Sequence, residues 1–232
     1  DGGAAQAVQI RDIPELDERI RLQHEKELIG YFVSGHPLDA YEPDIESFAD
    51  FPISKISMAE DGQYATLVGM ISRITAKVDR NGGNMAFVDV SDAMASMEVV
   101  FFKDSYEKNR QYVIVDSVVM IRGRIQERNG EKKMLANTVL PVEMMRQEKA
   151  DRLELRLDFD AAQNGLMEKL GSVLKAEPGD KPVNLVIPTV EREAEFRIDL
   201  SPTTRVRLTD SLIKNLHRTH GVQRIKFQVA DE

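Results

Sequence analysis

Five strand-like runs stand in a fixed order between Ala65 and Val142, and no other feature narrows the possible folds of this chain as much. Ala65–Val78 is a long run containing Gly69, and Met85–Val90 and Met97–Phe102 flank a turn at Ser91-Asp92-Ala93. Ser117–Glu127 and Met134–Val142 complete the set. Asn81-Gly82-Gly83 and Arg128-Asn129-Gly130 supply hairpin turns, because Asn and Gly tolerate the positive φ that tight hairpins require. A helical stretch, Lys103–Gln111, falls between the third and fourth runs. Five strands with a helix at that point match a Greek-key OB barrel, so residues 62–147 are expected to form an all-β OB-fold domain.

The flanking segments read differently. Leu153, Leu155, Leu157 and Phe159 alternate with charged or polar residues, the period-two mark of a half-buried strand. Ala161–Lys175 reads as a helix ending near Glu177-Pro178-Gly179, and Val183–Ile187, Ala194–Leu200 and Thr204–Leu208 read as strands. Thr209-Asp210 then opens a helix running to about Arg218, and Val222–Val229 is a final strand. Residues 150–232 are thus expected to form a small α+β domain. Ahead of the barrel, Leu16, Ile20, Leu28 and Phe32 recur at multiples of four, the pattern of an amphipathic helix. Pro14 suits its first turn, and Pro43 and Pro52 punctuate a connector with one short helix. The chain is therefore read as multi-domain: a helical segment and connector over 1–61, an OB-fold barrel, and an α+β domain.

A net charge of −8 would argue against a polyanionic partner, but the charge is unevenly spread. Residues 1–61 hold 14 acidic and 5 basic side chains, or −9, whereas 62–149 carry +2 and 150–232 carry −1. The barrel is mildly basic, which permits modest and salt-sensitive phosphate contact. The absence of cysteine excludes disulfides, thiolate metal sites and thiol nucleophiles, and it fits a cytoplasmic location. No apolar run approaches membrane-spanning length. Asp1-Gly2-Gly3-Ala4-Ala5 carries no signal-peptide pattern and no initiating Met, so it reads as the cut edge of a longer protein.

In Glu25-Lys26-Glu27-Leu28-Ile29-Gly30-Tyr31-Phe32-Val33-Ser34-Gly35-His36-Pro37 a helical run is stopped by Gly-His-Pro. Pro37 cannot extend a helix, and it biases His36 away from helical conformations. The wording resembles a signature near the C-terminus of the bacterial replicative DNA polymerase III alpha subunit, including the apolar and aromatic residues that follow as Leu38 and Tyr41. The barrel and the last segment, with Leu200-Ser201-Pro202, Leu208, Leu212 and a terminal strand ending in Phe227, resemble the domains that follow it in that family. The resemblance implies a C-terminal fragment of a DNA-directed DNA polymerase whose catalytic carboxylates lie upstream of this chain. A fragment of that kind would perform no nucleotidyl transfer and need no cofactor. It would take single-stranded DNA and the tau subunit of the clamp loader as partners, with the sliding clamp as a further one.

Candidate binding residues follow from placement. Phe87, in Ala86-Phe87-Val88-Asp89-Val90, stands where an aromatic stacks on a base in nucleic-acid-binding OB folds; a barrel-core role accounts for it equally well. Of the adjacent Phe101 and Phe102, one must face the core and the other solvent. Arg122 and Arg124 share the face of the fourth strand opposite Val119, Ile121 and Ile125. Arg73, Lys77 and Arg80 line the end of the first strand, and Arg128, Lys132 and Lys133 populate the loop before the fifth. Both regions flank the binding face of an OB barrel, although ordinary solvated charge would explain the same residues. In the last domain, Leu212, Asn215, Arg218 and Phe227 are candidates for partner contact, and Gln223-Arg224-Ile225-Lys226-Phe227 resembles a sliding-clamp-binding pentapeptide or forms a plain amphipathic strand. His24, His36, His217 and His220 are scattered, and Asp92 is better suited to capping a turn than to holding a metal beside Asp89. Alternatives to DNA binding are a protein-interaction fragment with the barrel as spacer, and an anticodon-binding OB domain of a tRNA synthetase.

Overall fold

The barrel closes because its strands turn alternate residues into one core while the first strand is long enough to pair on both of its sides. In a computed structural model, which describes residues 37–78, 82–189 and 194–229 together with Leu28, the strands are β1 (Tyr64–Val78), β2 (Asn84–Ser91), β3 (Ser96–Phe101), β4 (Val118–Arg128) and β5 (Glu131–Pro141). They close in the order β1-β2-β3-β5-β4, with β3 and β5 parallel and the other neighbours antiparallel. The inner face carries Leu67, Ile71, Val88, Val99, Phe101, Val119, Ile121, Ile125, Met134 and Val139. A bulge between Ile71 and Arg73 bends β1 from its β4 pairing toward its β2 pairing. At the β4–β5 hairpin Asn129 and Gly130 take φ of 55° and 79°, the double positive φ that an Asn-Gly turn accepts. Apart from Leu28, the Glu25–His36 stretch of the signature and the helix expected ahead of it lie outside the described residues, as do His24 and Arg80.

The connector is part of the barrel. A 3-10 turn, Ile53–Met58, plugs one barrel end with the buried Ile53. Buried Asp92 ties that plug down: its carboxylate accepts the backbone N–H of Ser54 (3.0 Å), Met94 (2.8 Å) and Ala95 (2.7 Å). Asp92 is therefore a turn cap. From β5 the Lys132 ammonium donates to the carbonyls of Ser57 (2.8 Å) and Ala59 (2.6 Å).

The second core is built on a sheet in the order β10-β6-β7-β8, with β9 pairing the start of β7. Its elements are β6 (Ala150–Leu157), β7 (Pro178–Pro188), β8 (Glu195–Asp199), β9 (Arg205–Val206) and β10 (Val222–Val229). Helices bury Leu166, Leu170, Leu174, Leu212, Ile213 and Leu216 against Leu153, Leu155, Leu185, Ile225 and Phe227. The single helix expected over Ala161–Lys175 is two, Phe159–Gln163 and Leu166–Ala176, because Gly165 between them takes φ +84°. Pro178-Gly179 opens β7 instead of closing the preceding helix. There β9 comes so near that a Cβ on Gly179 would lie 2.4 Å from the Arg207 nitrogen.

One helix that the sequence reading did not place joins the two cores. With α1 (Glu42–Phe48), α2 (Lys103–Asn109) and α3 (Val142–Lys149) counted in chain order, α3 bridges β5 and β6. Val142 and Met145 pack with Val68 and Met120 of the outer barrel face and with Tyr41, Ile45 and Phe48 of the connector. Arg146, wholly buried, sends two 2.7 Å hydrogen bonds to Asp44 on α1 and one of 2.7 Å to Asp210, which opens α4 (Asp210–His217). Tyr41 donates to the other Asp210 oxygen at 2.7 Å, and Arg146 lies 5.6 Å from the ring centres of both Tyr41 and Phe227. Helix α1 also lies along β10: Phe48 stacks on Phe227 at 5.5 Å, Arg224 pairs with Glu46 at 2.8 Å, and the Phe227 N–H donates to Ser47 Oγ at 3.1 Å.

Candidate nucleic-acid interface

The packing just described covers Val68, Met120, Val118 and Leu140 on the outside of the barrel and does not include the outer faces of β2 and β3, where Val100 is buried and Met85, Phe87, Asp89 and Glu98 are half-buried. Ala86, Val88 and Val90 point into the core, so the half-buried Phe87 and Asp89 face outward. Of the two readings of Phe87, the core one is thereby removed. Phe87 pairs with Thr75 on one side and Val100 on the other, and Val100 in turn pairs with Leu135 of β5. The Lys77 ammonium lies 4.9 Å from the centre of the Phe87 ring, a cation–π arrangement. Of the phenylalanine pair, Phe101 is core and Phe102 is 55% exposed.

Beside this apolar row runs a charged one. Arg73 pairs with Asp89 at 2.6 Å, Asp89 stands opposite Glu98, and Glu98 pairs with Lys133 at 2.7 Å. Glu98 holds the Lys133 ammonium above its ordinary pKa. Exposed pairs of this kind are worth about 0–1 kcal/mol, so Arg73 and Lys133 can exchange a carboxylate for a phosphate at little cost.

Not every expected cation belongs to this face. The Lys132 ammonium is tied to two plug carbonyls, so it is a structural clamp and not a binding residue. Arg122 and Arg124 are exposed, but they pair with Thr66 and Tyr64 on the far half of β1. Thr66 and Thr75, the β1 partners of Arg122 and Phe87, are nine residues apart, roughly 30 Å of strand. Arg122 and Arg124 form a second cationic strip, continued by exposed Arg128 at the β4–β5 turn. Among the described residues these three arginines make no ion pair, and no cluster of three acidic or histidine side chains is placed to hold a metal.

Residues 65–142 match a family model of the tRNA anticodon class described as an OB-fold nucleic acid binding domain. Over 220 residues, 94% of its length, the chain is 26% identical to the DNA polymerase III subunit alpha of Pseudomonas fluorescens. Over 189 residues, 81% of its length, it is 30% identical to the same subunit of Aquifex aeolicus (strain VF5). The chain is related to the DNA polymerase III alpha subunit. It spans 18% and 16% of the length of those two alpha subunits. Among solved structures, the second OB-fold domain of replication protein A from Methanococcus maripaludis is 11% identical and covers 38% of this chain and 92% of its own, with a TM-score of 0.31. RecG bound to a three-way DNA junction is 18% identical and covers 42% of this chain and 14% of its own, with a TM-score of 0.33.

The candidate partner-contact residues of the second domain divide in two. Leu212 and Phe227 are fully buried in its core, so they cannot present a docking surface; their apolar character serves packing. The pentapeptide Gln223–Phe227 is held in β10 with Ile225 and Phe227 turned inward, which leaves the amphipathic-strand reading and removes the clamp-peptide one. Asn215 and Arg218 are exposed at the end of α4. His217 beside them is exposed, yet partial desolvation lowers its pKa, against the opposing pull of Glu42. The groups that sequence reasoning missed, Arg146, Asp44 and Asp210, build the joint between the cores; strong helix formers following Pro141 were the signal that α3 existed.

Proposed function

We propose that this chain serves as the C-terminal accessory region of a replicative DNA polymerase alpha subunit. The barrel holds single-stranded template on the β2–β3 face, and the second domain docks the tau subunit of the clamp loader through the exposed end of α4 around Asn215 and Arg218. Nucleotidyl transfer belongs to the larger protein, outside this chain. The observation that carries the reading is Phe87: an aromatic turned out of a barrel core, with a lysine on its ring and exchangeable cations beside it, on a face the connector does not cover. Aromatic stacking contributes roughly 1–3 kcal/mol per base without regard to sequence, and the cations track the backbone.

The test is a titration of the 232-residue chain with labelled single-stranded DNA at low and high salt. Micromolar or weaker affinity that falls steeply with salt is expected, with loss on Phe87→Ala and a smaller, salt-dependent loss on replacing Arg73 and Lys133 by Ala. Absence of binding at low salt, or parental binding by Phe87→Ala, refutes it and favours the barrel as a spacer. Tau docking is read separately, as co-elution with the tau subunit that Asn215→Arg together with Arg218→Glu abolishes.

A further inference from the structure

We propose that Phe102 is a second stacking surface, so that the barrel holds two unstacked bases of a single strand, one on Phe87 and one on Phe102. This rests on the reading that the β2–β3 face binds single strands. The backbone of Phe102, at φ −74° and ψ 165°, is still extended, so the alternation of β3 continues one residue past its end. Phe101 is in the core, and Phe102 therefore shares the outer face with Val100, where it is 55% exposed. Phe87 stands opposite Val100, which makes Phe102 its diagonal neighbour across β2 and β3.

Charge gives the strand its direction. On one side of Phe87 the next outward residues, Asp89 and Glu98, are already paired with Arg73 and Lys133, so that row carries no net charge. On the other side they are Met85 and Phe102, with Lys77 opposite Met85 and exposed Lys103 following Phe102. A polyanion leaving Phe87 is therefore drawn toward Phe102. Spacing gives the class of ligand: diagonal cross-strand neighbours lie about 7–8 Å apart, about twice the 3.4 Å rise of stacked bases in a duplex strand. A duplex cannot offer bases at that pitch. A single strand with little self-stacking can, so thymine runs should bind better than adenine runs, which must unstack first.

The experiment uses the whole chain, fluorescein-labelled dT and dA decamers, and anisotropy at low salt. Phe102→Ala should weaken dT binding at least about fivefold, the lower bound for losing one stacked base, while Phe102→Tyr retains it. Because the chain contains no tryptophan, Phe102→Trp installs a single reporter whose emission should be quenched as unlabelled dT is added. Unchanged thermal unfolding of each variant establishes that the fold is intact. If Phe102→Ala and the parent bind alike while Phe87→Ala fails, the two-base platform is wrong and barrel binding stands. If the parent itself does not bind, both readings fall.

Discussion

Replacing Arg146 by Met should cost this chain about 3–5 kcal/mol of stability, although the new side chain has similar length. Arg146 and Asp44 both have 0% side-chain exposure, and the guanidinium makes two 2.7 Å bonds to Asp44 and one to Asp210. Removing one partner of a buried pair leaves the other charge uncompensated, and that orphaned carboxylate accounts for most of the loss. Asp44 is already pushed up to about 6 by burial, against the opposing pull of Arg146, and without Arg146 it should take up a proton at neutral pH. Urea unfolding followed by far-UV circular dichroism measures the loss as a drop in midpoint. Adding Asp44→Leu to Arg146→Met should recover a large part of it, since an apolar replacement of the whole pair is often neutral. A loss below about 1 kcal/mol in the single variant, or strictly additive losses in the double, would refute the account of Arg146 as the joint between the cores.

Three further outcomes are expected. A raised folded-state pKa gives Asp44 a stability contribution that is fully present below its ordinary 3.8 and lost as pH rises through about 6; between pH 7 and pH 5 the parent should gain about 1 kcal/mol over Asp44→Asn, measured by unfolding at each pH. Lys132→Met should lower stability by about 1–3 kcal/mol by leaving the Ser57 and Ala59 carbonyls unpaired, with DNA affinity corrected for folded fraction unchanged. Gly123→Ala should destabilise the barrel by about 1–3 kcal/mol or more in thermal melts, because the added Cβ would fall 2.4 Å from the Leu135 carbonyl oxygen in the β4–β5 ladder.

Local pattern reached the barrel and stopped short of the joint. Period-two runs and Asn-Gly turns are short-range signals, so the five strands, the helix between β3 and β4, and the outward arginines at 122 and 124 could all be read directly. Phe87 by itself admits two roles, yet its neighbours Ala86 and Val88 share a face that excludes it. Pairings across long stretches of chain left no such trace. Arg146 meets Asp44 across 102 residues and Asp210 across 64, and Lys132 reaches the plug across 73 and 75. An apolar residue on an amphipathic element is more often core than contact, and Leu212 and Phe227 followed that rule.

The seating of α1 on β10 also decides where a pull on this molecule would be felt. Chain entering at Leu38 is riveted to the second sheet by Asp44, Glu46 and Phe48 before it has contributed a single barrel strand. Tension between an upstream body and anything moored to the second domain would run through that rivet and bypass the β1–β5 ladder. The barrel strands would then sit beside the main load path, touched by it only where Ile45 and Phe48 pack on Val68 and Met120.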